Sequence, residues 1–249
     1  MKILQDNKMA EVIHLNYHIL SILYRFDISL GFGDKTIAQV CNDNNINTNF
    51  FLEITNAFIN KDYSPEDNLQ SFSIELIVNY LQKTHIYYTK EKIPEILNLI
   101  NNLEFKTNTQ RNIKLLKNFF TQYSNEFNQH INREDNFIYP YVVSLQKAFD
   151  TKKISKKNIE LIKDTPIASY QVEHENVEEK LYDLKNILIK YLPPAKDPKI
   201  INTILSKLFK LEDDLNEHTR IENNVMIPKA IKLEKIILSE INKNKFKII

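Results

Sequence analysis

Four histidines and two glutamates fall on core-facing positions of stretches with helical periodicity, and a carboxylate in such a place needs a partner. In FNQHINREDNFIYP, residues 127–140, His130 and Glu134 are one helical turn apart. Both share a register with Ile113, Leu116, Phe120, Tyr123, Phe127, Phe137, Tyr141 and Leu145, the stripe of a helix that buries one face. An unpaired glutamate in that seam would take up a proton. The segment LNEHTRIENNVMIP, residues 215–228, repeats the arrangement with His218 and Glu222. Aligned, the two segments agree at Asn128/Asn216, His130/His218, Glu134/Glu222, Asn136/Asn224 and Pro140/Pro228. Each is preceded by a stripe with one histidine. His85 lies among Ile74, Ile77, Val78, Leu81 and Tyr88, and His174 among Ile167, Tyr170, Val177, Leu181, Leu184 and Leu188. The spacings, 45 residues from His85 to His130 and 44 from His174 to His218, make the chain a duplicated helical hairpin.

Four neutral imidazoles and two carboxylates form a nitrogen and oxygen donor set suited to iron, manganese or zinc. Six ligands are too many for one catalytic zinc. Two metals bridged by Glu134 and Glu222, each completed by two histidines, use every ligand and leave room for an oxide bridge or an exogenous ligand. The cations would keep the carboxylates ionised in the core. A single histidine on an apolar face is usually a hydrogen-bonded core residue. Here four of the chain's six histidines take the same place on four helices, and both glutamates sit at i+4. Glu126, one turn before His130, and Glu173, next to His174, are placed to hydrogen-bond a ligand or line a route for ions. His14 and His18 are also four apart, but no third ligand accompanies them, so they read as surface or packing residues. Cys41 is the only cysteine, which excludes an internal disulfide, a CxxC pair and a multi-cysteine zinc site.

The elements that must hold this set are helical. Gly31 and Gly33 are the only glycines in 249 residues, and the long glycine-free stretches rich in Leu, Ile, Lys, Glu and Asn argue against hairpins. The fold class is all-α: a four-helix up-down bundle preceded by a small helical N-terminal domain. Residues 1–60 form that domain, 61–71 a polar linker with one helical turn, and 72–249 the bundle. In the first part a helix through AEVIHLNYHILSILYRF stops at the glycine turn, Thr36 with Gln39 forms a capping box, and a third helix follows at TNFFLEITNAFIN. Thr165-Pro166 and Asp197-Pro198 mark the starts of the last two bundle helices. With 33 basic and 32 acidic side chains there is no charge surplus for nucleic acid or an anionic membrane. The N-terminal residues lack the apolar run of a signal peptide and no stretch has the length of a membrane span, so a cytoplasmic protein is expected.

The order His85, His130/Glu134, His174, His218/Glu222 resembles the hemerythrin-like (HHE) family, and more narrowly its di-iron repair-of-iron-centres members. All six ligand positions match, and RFDISLGFGDKTIAQVC is similar to the turn in their N-terminal domain, with Phe26-Asp27 and Gly33-Asp34-Lys35 in recognisable places. The resemblance covers nearly the whole chain. It implies two iron ions in a non-haem, oxo- and carboxylate-bridged centre, and a role in the nitrosative and oxidative stress response. That role is repair of, or iron donation to, iron–sulfur proteins, or processing of NO at the metal pair. Acids corresponding to Glu126 and Glu173 are implied to assist iron movement. Where the family has two adjacent cysteines, this chain has Gly31 and Phe32, so no thiol chemistry carries over. The alternative is a binding module, a sensor or carrier of O2 or NO without turnover.

Overall fold

The computed structural model describes residues 2–60, 63, 66–106, 110–173 and 175–249. The Ser64 and Pro65 of the polar connection, and His174, lie outside them. The chain is an all-α bundle. Its N-terminal part comprises α1 (Met9–Leu15), α2 (Ile19–Arg25), α3 (Ile37–Asp43), α4 (Thr48–Ile59) and the short α5 (Glu66–Leu69). The first bundle helix is α6 (Ile74–Ile86) continued by α7 (Ile93–Asn101), and the second is α8 (Gln110–Arg133) continued by α9 (Tyr139–Thr151). A surface helix, α10 (Lys156–Asp164), precedes the third, which opens as a 3-10 helix (Ile167–Glu173) and continues as α11 (Glu175–Asn186). The fourth is α12 (Pro198–Ile221) continued by α13 (Ile227–Asn242). Neighbouring bundle helices pack in chain order, α7 on α8, α8 on α11, α11 on α12 and α12 on α7, which is the expected up-down circuit. Two residues at Lys153–Ile154 pair in parallel with Lys247–Ile248 and tie the C-terminus to the α9–α10 connection.

Two of the three expected start signals operate as caps, whereas Thr165 closes α10 and the third bundle helix opens at Ile167 as a 3-10 turn. Thr36 and Gln39 form a reciprocal capping box, and Asp197 accepts from the Lys199 N–H with Pro198 in the first turn. The first helix differs from expectation because it breaks at Asn16, whose extended backbone and side chain, accepting from the His18 N–H, end α1 and start α2. His14 and His18 therefore lie on different helices and share no face.

The third bundle helix ends in a π turn at Ile187–Tyr191, and the first, second and fourth each contain one internally, at Tyr87–Lys92, Glu134–Ile138 and Glu222–Met226, with a shared cause. The cause is a proline inside the helix. Pro94, Pro140 and Pro228 have no N–H to give and crowd the carbonyl four residues back. The residue before each proline bonds five residues back instead, Ile93 to Tyr88, Tyr139 to Glu134 and Ile227 to Glu222. The extra residue rotates everything beyond it. Phe137, read from periodicity as part of the buried stripe, is 70% exposed, and Tyr139 takes the core position.

Two apolar clusters fill the molecule. One joins α6, α9 and α13 to the N-terminal helices through Ile22, Phe50, Phe51, Ile77, Val142 and Ile227, among others. The second occupies the opposite half of the bundle, with Ile96, Phe120, Leu184 and Leu208. The N-terminal helices thus share a core with the bundle, and Leu69 of the expected linker is fully buried in it. Between the clusters lies a polar layer.

Candidate metal centre

The polar layer contains five of the six expected ligands. His85 reaches it from the last turn of α6, His130 from α8, Glu134 from the π turn that follows, His218 from α12 and Glu222 from its π turn. Both glutamates are the first residues of π turns, a local widening that often marks functional sites and here lets His and Glu one turn apart aim at the same space. One donor atom from each of His85, Glu134, His218 and Glu222 lies within 4.8 Å of the other three, and all four residues are buried. His85 Nε2 is 3.1 Å from His218 Nε2 and 3.3 Å from Glu134 Oε2. His130 Nε2 is 3.1 Å from Glu134 Oε1, and His218 Nε2 is 3.5 Å from Glu222 Oε2. His174 lies outside the described residues.

Three further residues, missed in the sequence, complete the layer. Asp135 Oδ1 lies 2.9 Å from His85 Nδ1, which directs the other ring nitrogen at the cluster. Tyr170 donates to Glu134 Oε1 at 3.0 Å. Tyr139 donates to Glu222 Oε1, stacks on the His85 ring and places its oxygen 3.3 Å from His85 Nε2. Asp135 and Tyr139 both follow from the π turn, because neither belongs to the stripe that ends at Glu134. The only sequence signal for them is the proline that closes the turn.

The electrostatics are those of a tight acid and base cluster. Burial opposes charge on His85, but hydrogen bonds with Asp135 and Glu134 and the nearby Glu222 outweigh it and push its pKa up to about 9. Burial also opposes charge on Glu134, yet His130 and His85 hold its carboxyl well below the usual range. The Tyr139 hydroxyl is pushed far up, first by burial and then by the Glu222 charge. These groups fit a metal: imidazole nitrogens and carboxylate oxygens converge within 4.8 Å in a water-poor layer.

The two acids expected near the ligands have different surroundings. Glu126 pairs with Lys180 and accepts from Gln122 at 3.0 Å at the surface, and Lys180 holds its carboxyl below the usual range. Glu173 ends the 3-10 helix, and its side chain lies outside what is described.

One turn before His218, a second buried polar group occurs that sequence reading missed. Asp214 receives both oxygens' hydrogen bonds from the Arg25 guanidinium of α2 at 2.5 Å, and one more from Tyr88 at 2.8 Å. Arg25 also donates to Tyr80 and lies over the Phe58, Tyr87 and Tyr88 rings. Tyr88 in turn meets the edge of the His218 ring, centroids 5.8 Å apart.

Comparison with known proteins agrees with the geometry. The family model described as hemerythrin HHE cation binding domain matches residues 90–230. An iron-sulfur cluster repair protein ScdA of Staphylococcus epidermidis is 22% identical over 201 residues, covering 80% of this chain and 85% of its own. The iron-sulfur cluster repair protein YtfE of Dickeya chrysanthemi is 22% identical over 185 residues, 74% of this chain and 77% of its own. The YtfE of Salmonella schwarzengrund is 22% identical over 143 residues, and there the match spans 59% of that protein's length. Among the described residues no helix is long and apolar enough to cross a membrane.

Proposed function

The chain belongs to the hemerythrin HHE cation binding domain family, and from that premise we propose that it is a cytoplasmic non-haem di-iron protein of the nitrosative and oxidative stress response. In this reading it repairs iron–sulfur proteins or donates iron to them. The ligands would be His85, His130, Glu134, His174, His218 and Glu222, with the two glutamates as bridges. The observation that carries this reading is the convergence of four buried donor residues within 4.8 Å at the meeting of two His-x3-Glu helices. The repair role is supported by relatives named for iron–sulfur cluster repair. A bound iron pair supplies one-electron chemistry and an open position for a diatomic such as O2 or NO.

The chain's own residues do the rest. Asp135 fixes the orientation of His85. Tyr170 donates to Glu134 and Tyr139 to Glu222, and each hydroxyl fixes the orientation of the carboxylate it meets. The two apolar clusters flank the layer. Glu126, accessible at the surface beside Lys180, is placed to accept an outgoing cation.

Binding of O2 or NO without turnover is the second reading, and one observation favours it. Gly31 and Phe32 carry no thiol, Phe32 packs half-buried against the core, and the only cysteine, Cys41, is buried with its thiol pushed up to about 11 by that burial. A repair mechanism that needs a surface thiolate has no residue for it in this chain. The test mixes iron-loaded protein with a nitric-oxide-damaged iron–sulfur enzyme and follows return of that enzyme's activity. Recovery beyond that given by free ferrous iron supports repair; no recovery, with reversible O2 or NO binding, replaces it by the carrier reading.

A further inference from the structure

A cleft of about 480 Å³ opens between α9, α10 and the start of the third bundle helix. This is the size of a small-molecule site. Its walls are mainly apolar, formed by Phe137, Ile138, Pro140, Leu161, Pro166 and Ile167. They are also held from behind, because Glu234 accepts from the hydroxyl of Tyr141, another wall residue, at 2.6 Å and from the Ile167 N–H at 3.0 Å. The cleft is therefore preformed. Phe137 follows Glu134 in the π turn that displaces it from the core, and its exposed ring meets no other ring and no cation among the described residues. No carboxylate lines the cleft among the described residues, and a cation stands at each end. Arg133 closes one end with its guanidinium 5.3 Å from the centre of the Tyr170 ring, so it is already engaged. Lys157 stands at the other end, next to Asn158, which donates to Ser144 of α9 at 2.9 Å. Its ammonium is exposed and has no carboxylate partner among the described residues. One lysine is a single point charge, and on an otherwise apolar wall it suits a monoanion with an apolar body better than a polyanion.

We propose that this cleft is a binding site for a monocarboxylate with an apolar body, of the fatty-acid class: carboxylate on Lys157, chain running over Leu161 to Phe137. The site uses none of the expected metal ligands, and its occupation does not depend on what the metal does.

The experiment is calorimetric titration of full-length, iron-loaded protein with octanoate and, in parallel, with 1-octanol, with iron content and the helical spectrum recorded for every variant. Octanoate is expected to bind with a dissociation constant below about 1 mM. Lys157→Glu should weaken octanoate about tenfold and leave 1-octanol unchanged, whereas Phe137→Asp should weaken both. Lys157 and Phe137 are exposed, so both variants should keep their fold and their iron. Absence of saturable octanoate binding overturns the site. So does octanoate binding that either variant leaves unchanged, as ligation of iron by the carboxylate would produce. Equal binding of octanoate and 1-octanol by the unaltered protein overturns the carboxylate assignment.

Discussion

Asp214 and the pair Glu134/Glu222 are buried carboxylates of the same bundle, and they are partnered by different means. Asp214 is met by a permanent cation, the Arg25 guanidinium, plus the Tyr88 hydroxyl. Glu134 and Glu222 are met by imidazoles and tyrosine hydroxyls, and with those imidazoles they could hold a metal ion. A carboxylate compensated by arginine is complete within the protein. Two carboxylates converging with histidines form a site whose natural complement is a cation from outside. A third acid, Glu234, accepts from the Tyr141 hydroxyl and the Ile167 N–H and has no arginine, lysine or histidine partner among the described residues. The three cases separate structural burial of charge from burial that serves a ligand.

The largest effect is expected from Glu134→Ala or Glu222→Ala. Each would remove a proposed bridge, so iron should fall well below two per chain and the melting midpoint should drop with it, because a bound metal's binding free energy is part of the folded state's stability. Stripping iron from the unaltered protein with a chelator should reproduce most of that drop. A midpoint that chelation does not move would remove the distinction between the two clusters.

Arg25→Met sharpens the comparison from the other side. It leaves Asp214 buried without its cation, which costs on the order of 3 kcal/mol and, for a chain of this size, moves the midpoint by roughly 6–12 °C. Iron content should stay at two, and the loss should be the same with and without iron. Loss of iron in this variant would mean that the Arg25 network and the metal layer act as one unit.

Asp135→Asn should act more gently. The amide keeps the shape but not the charge behind His85, so iron should bind about 10- to 100-fold more weakly while the fold is retained. Competition with a calibrated chelator measures this. Unchanged affinity would leave Asp135 only a packing role.

Glu234 gives the smallest effect. Burial raises its carboxyl above the usual value, only partly countered by its two donors. The folded chain then holds that proton more tightly than the unfolded chain, so stability falls as pH rises from the unfolded value through the raised one. Glu234→Gln should flatten that part of the stability profile. An identical slope in both proteins would contradict it.

Much of this was legible in the sequence. His85, His130/Glu134 and His218/Glu222 were legible as polar residues on core-facing positions, which obey the same period as the core, and Pro198 and Thr36 announced helix starts at short range. What escaped depended on geometry that periodicity does not carry. The π turns at Glu134 and Glu222 shift register by one residue, which hid Asp135 and Tyr139 and misplaced Phe137. Arg25 and Asp214 are 189 residues apart, and nothing local ties them. The prolines at 94, 140 and 228 were the available clue to the turns, because a proline within an apolar helical pattern must be accommodated by some change in the hydrogen-bond ladder.

The most direct test of the metal assignment is the iron content of the full-length protein after anaerobic loading with ferrous iron and removal of excess. The expected result is two iron atoms per chain, both lost from a double Glu134→Ala/Glu222→Ala variant that still shows a helical spectrum. One zinc per chain, or no retained metal in the unaltered protein, would contradict it.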